Sequence, residues 1–127
     1  MLMVAPARAQ DAQTIEIAKQ AAAAWLQVVD AAQYDVSWDR AAALFKAAVP
    51  KEAWLGAIQS VRPQLGALKA RKLKAISFTR SIAGAPDGEY VVIQYDSEFE
   101  KRAGTIETVT DMREKDGSWK VSGYHIN

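Results

Sequence analysis

The sequence contains no cysteine, which excludes disulfide bonds, thiolate metal sites and cysteine nucleophiles. It contains a single histidine, His125, so a metal would have to rely on carboxylates, and none has calcium-loop spacing. No phosphate-cradling glycine loop and no G-x-S-x-G elbow is present. Neither a metal nor a cofactor is expected. Excess charge is missing as well. Sixteen Lys and Arg against 15 Asp and Glu leave a formal net charge of +1, so no overall field steers the chain toward nucleic acid or an anionic membrane. No apolar run approaches the roughly 18 residues of a membrane-spanning helix.

What is present is the balance of a globular protein, 50% apolar and 24% charged residues in a chain of 127. That length suits one domain. The four tryptophans, Trp25, Trp38, Trp54 and Trp119, are candidate core anchors. The first ten residues, "MLMVAPARAQ", stand apart. "ARA" before Gln10 fits the small-x-small pattern of signal-peptidase cleavage, although the basic start and the long apolar stretch of a complete signal are missing. Residues 1–10 are therefore read as the remnant of a signal peptide and 11–127 as one α+β domain, periplasmic or secreted.

Ile17, Ala21, Trp25 and Val29 recur at helical spacing and predict a helix over residues 14–32. A second helix is expected to start near Ser37, a suitable N-cap, with Trp38, Ala41, Phe45 and Ala48 as its stripe. A third is expected from Pro50, with Trp54, Ile58 and Val61, closed by "RPQLG" through Pro63 and Gly66. After Gly66 the period changes to alternation. "AISFTRSI", "EYVVIQYDSEF", "TIETVTDMRE" and "SWKVSGYHI" read as four strands joined by "GAPDG", "KRAG" and "KDG". The expected architecture is three helices on one face of a four-stranded antiparallel meander.

Turn positions assign the faces. A turn at Asp116-Gly117 pairs Val121 with Met112, Gly123 with Thr110 and His125 with Thr108. A turn at Arg102-Ala103 pairs Phe99 with Ile106, Ser97 with Thr108 and Tyr95 with Thr110. Opposed side chains share a face, so Val91, Ile93, Tyr95, Ser97, Phe99, Ile106, Thr108, Thr110, Met112, Trp119, Val121 and His125 are expected against the helices. A one-residue slip would invert part of this assignment. The outer face would then carry Val92, Val109, Tyr124 and Ile126 among Gln94, Glu98, Glu107, Asp111 and Ser122. Such a mixed strip leaves open a homodimer through the outer face or a monomer.

Tyr95, Ser97, Thr108 and His125, with Arg80 alongside, gather toward one end of the expected inner face. That group suits a small molecule or an anion; the simpler alternative is mutual hydrogen bonding at an open sheet end. His125 is the candidate catalytic base, but its expected neighbour is a threonine. Asp30, Asp35, Asp39 and Tyr34 could supply a partner from the helices, though helix capping also explains them. "KARKLK" (Lys69, Arg71, Lys72, Lys74) is the densest basic run; a solvated strand is its plainer reading, and no nucleic-acid partner is expected.

The ordered pieces "AWLQVVD", "YDVSW", "FK", "VRPQLG", "PDGEYVVI", "ETVT" and "DGSWKVSGYHI", spanning roughly residues 22–126, resemble a bacterial exported family of uncharacterised proteins, domain of unknown function 4019. The family's pattern carries an apolar residue after "ETVT", where this chain has Asp111. The resemblance implies export and no assigned activity. Helices followed by a meander also resemble the cone folds of the nuclear-transport-factor-like and cystatin-like groups, which host isomerase-type enzymes, ligand binders and dimerisation modules alike. The functional expectation is a non-catalytic module for a small ligand or a protein partner. The alternative is an acid–base enzyme of isomerase, cyclase or dehydratase type using His125.

Overall fold

A computed structural model describes residues 5–127, with side chains from Asp11 onward. Of the segment read as a signal remnant, residues 1–4 lie outside the described residues. Four helices precede four strands: α1 Ala5–Asp30, α2 Tyr34–Asp39, α3 Ala43–Ala48, α4 Lys51–Leu65, β1 Leu68–Thr79, β2 Tyr90–Phe99, β3 Arg102–Arg113 and β4 Trp119–Ile126. The strands form one antiparallel sheet in the order β1-β2-β3-β4. The α+β class is as expected; the helix count is four instead of three. No helix among the described residues is long and apolar enough to cross a membrane.

The extra helix arises because the expected second helix breaks in two. Ala42 is extended (φ −63°, ψ 151°), and its N–H donates to the Val121 carbonyl of β4 at 2.7 Å. A tertiary bond to the sheet thus outweighs the helix propensity of alanine. Ser37 is not an N-cap either: it lies inside α2, fully buried. Its Oγ donates to the Tyr34 carbonyl at 2.6 Å and accepts the Trp54 indole N–H at 2.9 Å, while its carbonyl accepts the Trp25 indole N–H at 2.9 Å. Two tryptophans are thereby fixed to one serine. Trp25, Trp54, Phe45 and Tyr124 complete an aromatic cluster with ring separations of 5.4 to 6.4 Å.

Helix α1 ends at Ala32, which takes a left-handed φ of 61°. The Ala32 N–H bonds the Val29 carbonyl and the Gln33 N–H bonds that of Val28, the double bond of a Schellman cap, usually built on glycine. Helix α4 runs through Pro63 to Leu65 and stops at Gly66, as the sequence suggested. Gly66 has φ 80°, and a Cβ there would come within 2.9 Å of Glu100.

The core lies between α1, α4 and one sheet face. On β2 the inward residues are Val91, Ile93, Tyr95, Ser97 and Phe99, all buried, as expected. On β3 the assignment is reversed. Tyr95 pairs with Glu107, Val91 with Asp111 and Ser97 with Thr105, and Phe99 meets Arg102. The chain turns at Glu100-Lys101, two residues before the expected place, which alone would keep the faces; the register shift between Ser97 and Phe99 adds the odd step that inverts β3. The early turn is held by tertiary bonds: the Glu100 N–H bonds the Ala67 carbonyl and the Lys101 N–H that of Leu65, both at 2.9 Å. Thr105, Glu107, Val109 and Asp111 point inward, while Ile106, Thr108, Thr110 and Met112 alternate outward.

Strand β4 keeps the expected register at Thr108↔His125 and Thr110↔Gly123, then shifts by one, so that Asp111 meets Val121 and Arg113 meets Trp119. The extra residue is Ser122, a β-bulge. It lets Val121 and Tyr124, three positions apart, face the same side. Val121 and Trp119 pack on the core as expected, Tyr124 joins them, and His125 turns outward and is exposed. The outer apolar strip thus loses Val109, Tyr124 and Ile126.

Candidate functional site

The register divides the residues that the sequence grouped. Tyr95 and Ser97 are buried on the inner face, whereas Thr108 and His125 lie on the outer face. Arg80 follows the far end of β1, beside the Thr79↔Tyr90 pair, stacked 4.9 Å from the Phe78 ring centroid. The arginine that meets Ser97 and Tyr95 is Arg71, from the basic run read as a solvated strand. Lys69, Lys72 and Lys74 of that run are exposed, but Arg71 turns inward.

Around Arg71 the fold assembles a buried ionic cluster. Glu107 on β3 has no exposed surface. Its carboxylate accepts the Arg71 Nε–H at 2.7 Å, an Arg71 Nη2–H at 3.1 Å, the Ser97 hydroxyl at 2.5 Å and the Tyr124 hydroxyl. Four donors fill the lone-pair positions a carboxylate offers. Arg71 also donates to Asp30 at the C-terminal end of α1, at 2.8 and 3.1 Å, and Arg62 of α4 donates to the same carboxylate at 3.0 Å. Burial alone would lower the Arg71 pKa, but the hydrogen bonds to Asp30 and Glu107 hold it above the usual arginine value. Tyr124 is raised above the ordinary phenol range, first by burial and then by the Glu107 charge. The cluster ties α1, α4, β1, β2, β3 and β4 together. Every Glu107 lone pair is engaged, so that carboxylate is not a free base, whereas the Nε and Nη1 of Arg62 are buried without a partner among the described residues.

The concave surface next to it is a groove between α4 and the free side of β4, about 220 Å³ in volume, lined by Trp54, Ala57, Ile58, Val61, Tyr124, His125 and Ile126. The Tyr124 ring belongs to the groove while its hydroxyl reaches Glu107. His125 stands at the rim, its Nε2 3.0 Å from the Asn127 Oδ1. Two of the three helix-borne aspartates are engaged elsewhere: Asp30 with Arg62 and Arg71, Asp39 with Lys51 at 3.1 Å.

The two sheet edges differ. β1 is an outer strand carrying Lys69, Lys72 and Lys74 and two register shifts, devices that discourage strand addition. On β4, Ile106 and Asn127 exchange both backbone bonds. By the antiparallel alternation, the N–H and C=O of Tyr124 and Ile126 point away from β3, along the groove. Earlier in the strand the Val121 carbonyl is already closed by Ala42.

A family model described as a protein of unknown function, DUF4019, matches residues 21–124. The chain belongs to that family. No curated protein and no solved structure matches this DUF4019 chain. The matched span contains the whole ionic cluster and most of the groove, ending at Tyr124. Sequence reasoning missed Arg71 and Glu107 because only the tertiary fold joins them. Asp111, assigned to the outer face by the expected register, is buried.

Proposed function

We propose that this DUF4019 protein is a non-catalytic binding module that receives an extended segment of a protein partner along the open edge of β4. The observation that carries this reading is the outward N–H and C=O groups of Tyr124 and Ile126 beside an apolar groove. An added strand would satisfy those groups, and its alternate side chains would drop between Trp54, Ile58 and Val61. At about 220 Å³ the groove is smaller than the roughly 300–1,000 Å³ usual for small-molecule sites, which favours a few apolar side chains over a whole ligand. We place the protein in the bacterial envelope or outside the cell, supported by the "ARA"-Gln10 cleavage pattern.

The test is a selection of displayed random nonapeptides on the wild type, followed by nuclear magnetic resonance mapping of a synthetic winner. The expected winners alternate apolar residues, shift the Tyr124 and Ile126 amides and the Trp54 indole, and bind Val61→Lys at least tenfold more weakly. Winners that bind Val61→Lys equally well, or shift amides elsewhere, overturn the reading.

A further inference from the structure

Asp111 is a carboxylic acid in the wrong solvent. It has no exposed surface, and among the described residues neither side-chain oxygen has a hydrogen-bond partner. Its cross-strand neighbours are Val91 on β2 and Val121 on β4. From α1, which packs on β3 and β4, the buried residues are Ala18, Ala22, Trp25, Leu26, Val28 and Val29, none of them titratable.

The charged and titratable groups around it are committed or turned away. On β4, Tyr124 donates to Glu107, and Lys120 stands opposite Met112 on the other face. On β3, Glu107 is saturated and Arg113 pairs with Glu89 at 3.3 Å. The segment leading into α3 takes Glu114 through the Ala43 N–H at 2.9 Å. On β2, Tyr95 is the group coupled to Asp111. Its hydroxyl is also buried without a partner, and its phenol is pushed up to about 12, chiefly by burial, with the Asp111 charge next.

An ionised carboxylate cannot persist in such a place unless water or a partner reaches it. The β3–β4 ladder is already interrupted beside Asp111, at the Ser122 bulge. We propose that Asp111 makes the β3–β4 hairpin a proton-gated element: protonated, it leaves the hairpin closed on α1, and on ionisation it draws water in by parting β4 from β3 at the bulge. Burial pushes the Asp111 carboxyl up to about 7, which places the gate near neutrality.

Two measurements on the full chain test it. The Asp111 side-chain carboxyl carbon is titrated by nuclear magnetic resonance between pH 3 and pH 9, and amide protection factors are measured at pH 5 and pH 8. The carbon should titrate near neutrality. Protection at Thr110, Met112 and Gly123, whose amides face across the β3–β4 pairing, should fall about 100-fold across that interval, the linkage expected for a closed-state value near 7 and an open-state value near 4. In Asp111→Asn, which cannot ionise, protection should change less than threefold. Titration in the ordinary carboxylate range overturns the proposal, as does unchanged wild-type protection or a fall that persists in Asp111→Asn. Should Asp111→Asn not fold, the wild-type titration and protection decide alone.

Discussion

Replacing Arg71 by methionine removes the only cation among the described residues that touches Glu107, while keeping most of the side chain's apolar length. Glu107 would be left in a site without solvent access, holding the two hydroxyl donors of Ser97 and Tyr124. Breaking a buried pair from one side costs about 3–5 kcal/mol, because the remaining charge stays desolvated. Asp30 contributes little to this total, since it is 23% exposed and keeps Arg62. A domain of this kind is stable by about 5–15 kcal/mol, so the variant remains folded but markedly weakened. Urea unfolding followed by tryptophan fluorescence reads the loss as a lower midpoint at unchanged slope. Arg71→Lys, which keeps the charge without the planar fork, should fall between wild type and Arg71→Met. Adding Glu107→Gln to Arg71→Met removes the stranded charge, so the double variant should be more stable than the sum of the single losses by about 1–3 kcal/mol. A loss below about 1 kcal/mol for Arg71→Met, or strict additivity in the double variant, would refute the claim that Glu107 is a desolvated carboxylate neutralised by Arg71.

Three further perturbations have defined outcomes. Ser37→Ala leaves the Trp54 indole N–H without its acceptor and should cost about 1–3 kcal/mol in the same assay. Ala32→Gly relieves the left-handed strain at the end of α1 and should raise stability by about 0.5–1 kcal/mol, read as a higher melting temperature. For Asp111 the folded protein holds its proton up to about pH 7, whereas the unfolded chain releases it near 4. The folded state therefore binds more protons between these values. The Asp111 contribution to stability is greatest below pH 4, declines as pH rises to about 7 and is level above, by about 4 kcal/mol in all. Melting temperatures of wild type and Asp111→Val measured from pH 4 to pH 8 should diverge in that window, with the variant gaining; parallel curves would contradict it.

Helices α1 and α4 and the inward face of β2 were legible because a local period repeats over enough residues to be read without the rest of the molecule, whereas the break between α2 and α3 was not. What failed was phase. "KRAG" draws the eye as a turn, but the reversal is fixed at Glu100-Lys101 by carbonyls at the end of α4, and nothing local announces those bonds. The early turn alone would have kept the faces; the register shift between Ser97 and Phe99 made the displacement along β3 odd and exchanged Thr108 for Glu107 and Thr110 for Asp111. Apolar counting favoured the wrong face, because the true inner face of β3 carries two acids. The Ser122 bulge returned His125 to the outside while keeping Val121 within, and serine carries no bulge signal. Arg71 could not be told from the lysines around it until the fold supplied Glu107 and Asp30.

The unequal treatment of the two sheet edges sets a valency. A chain with lysines and register shifts along β1 offers one side for strand addition, the end of β4. If two copies met edge to edge there, each would use up the other's single opening and the assembly would stop at two. A ribbon growing in both directions would need a second opening, and β1 does not provide it.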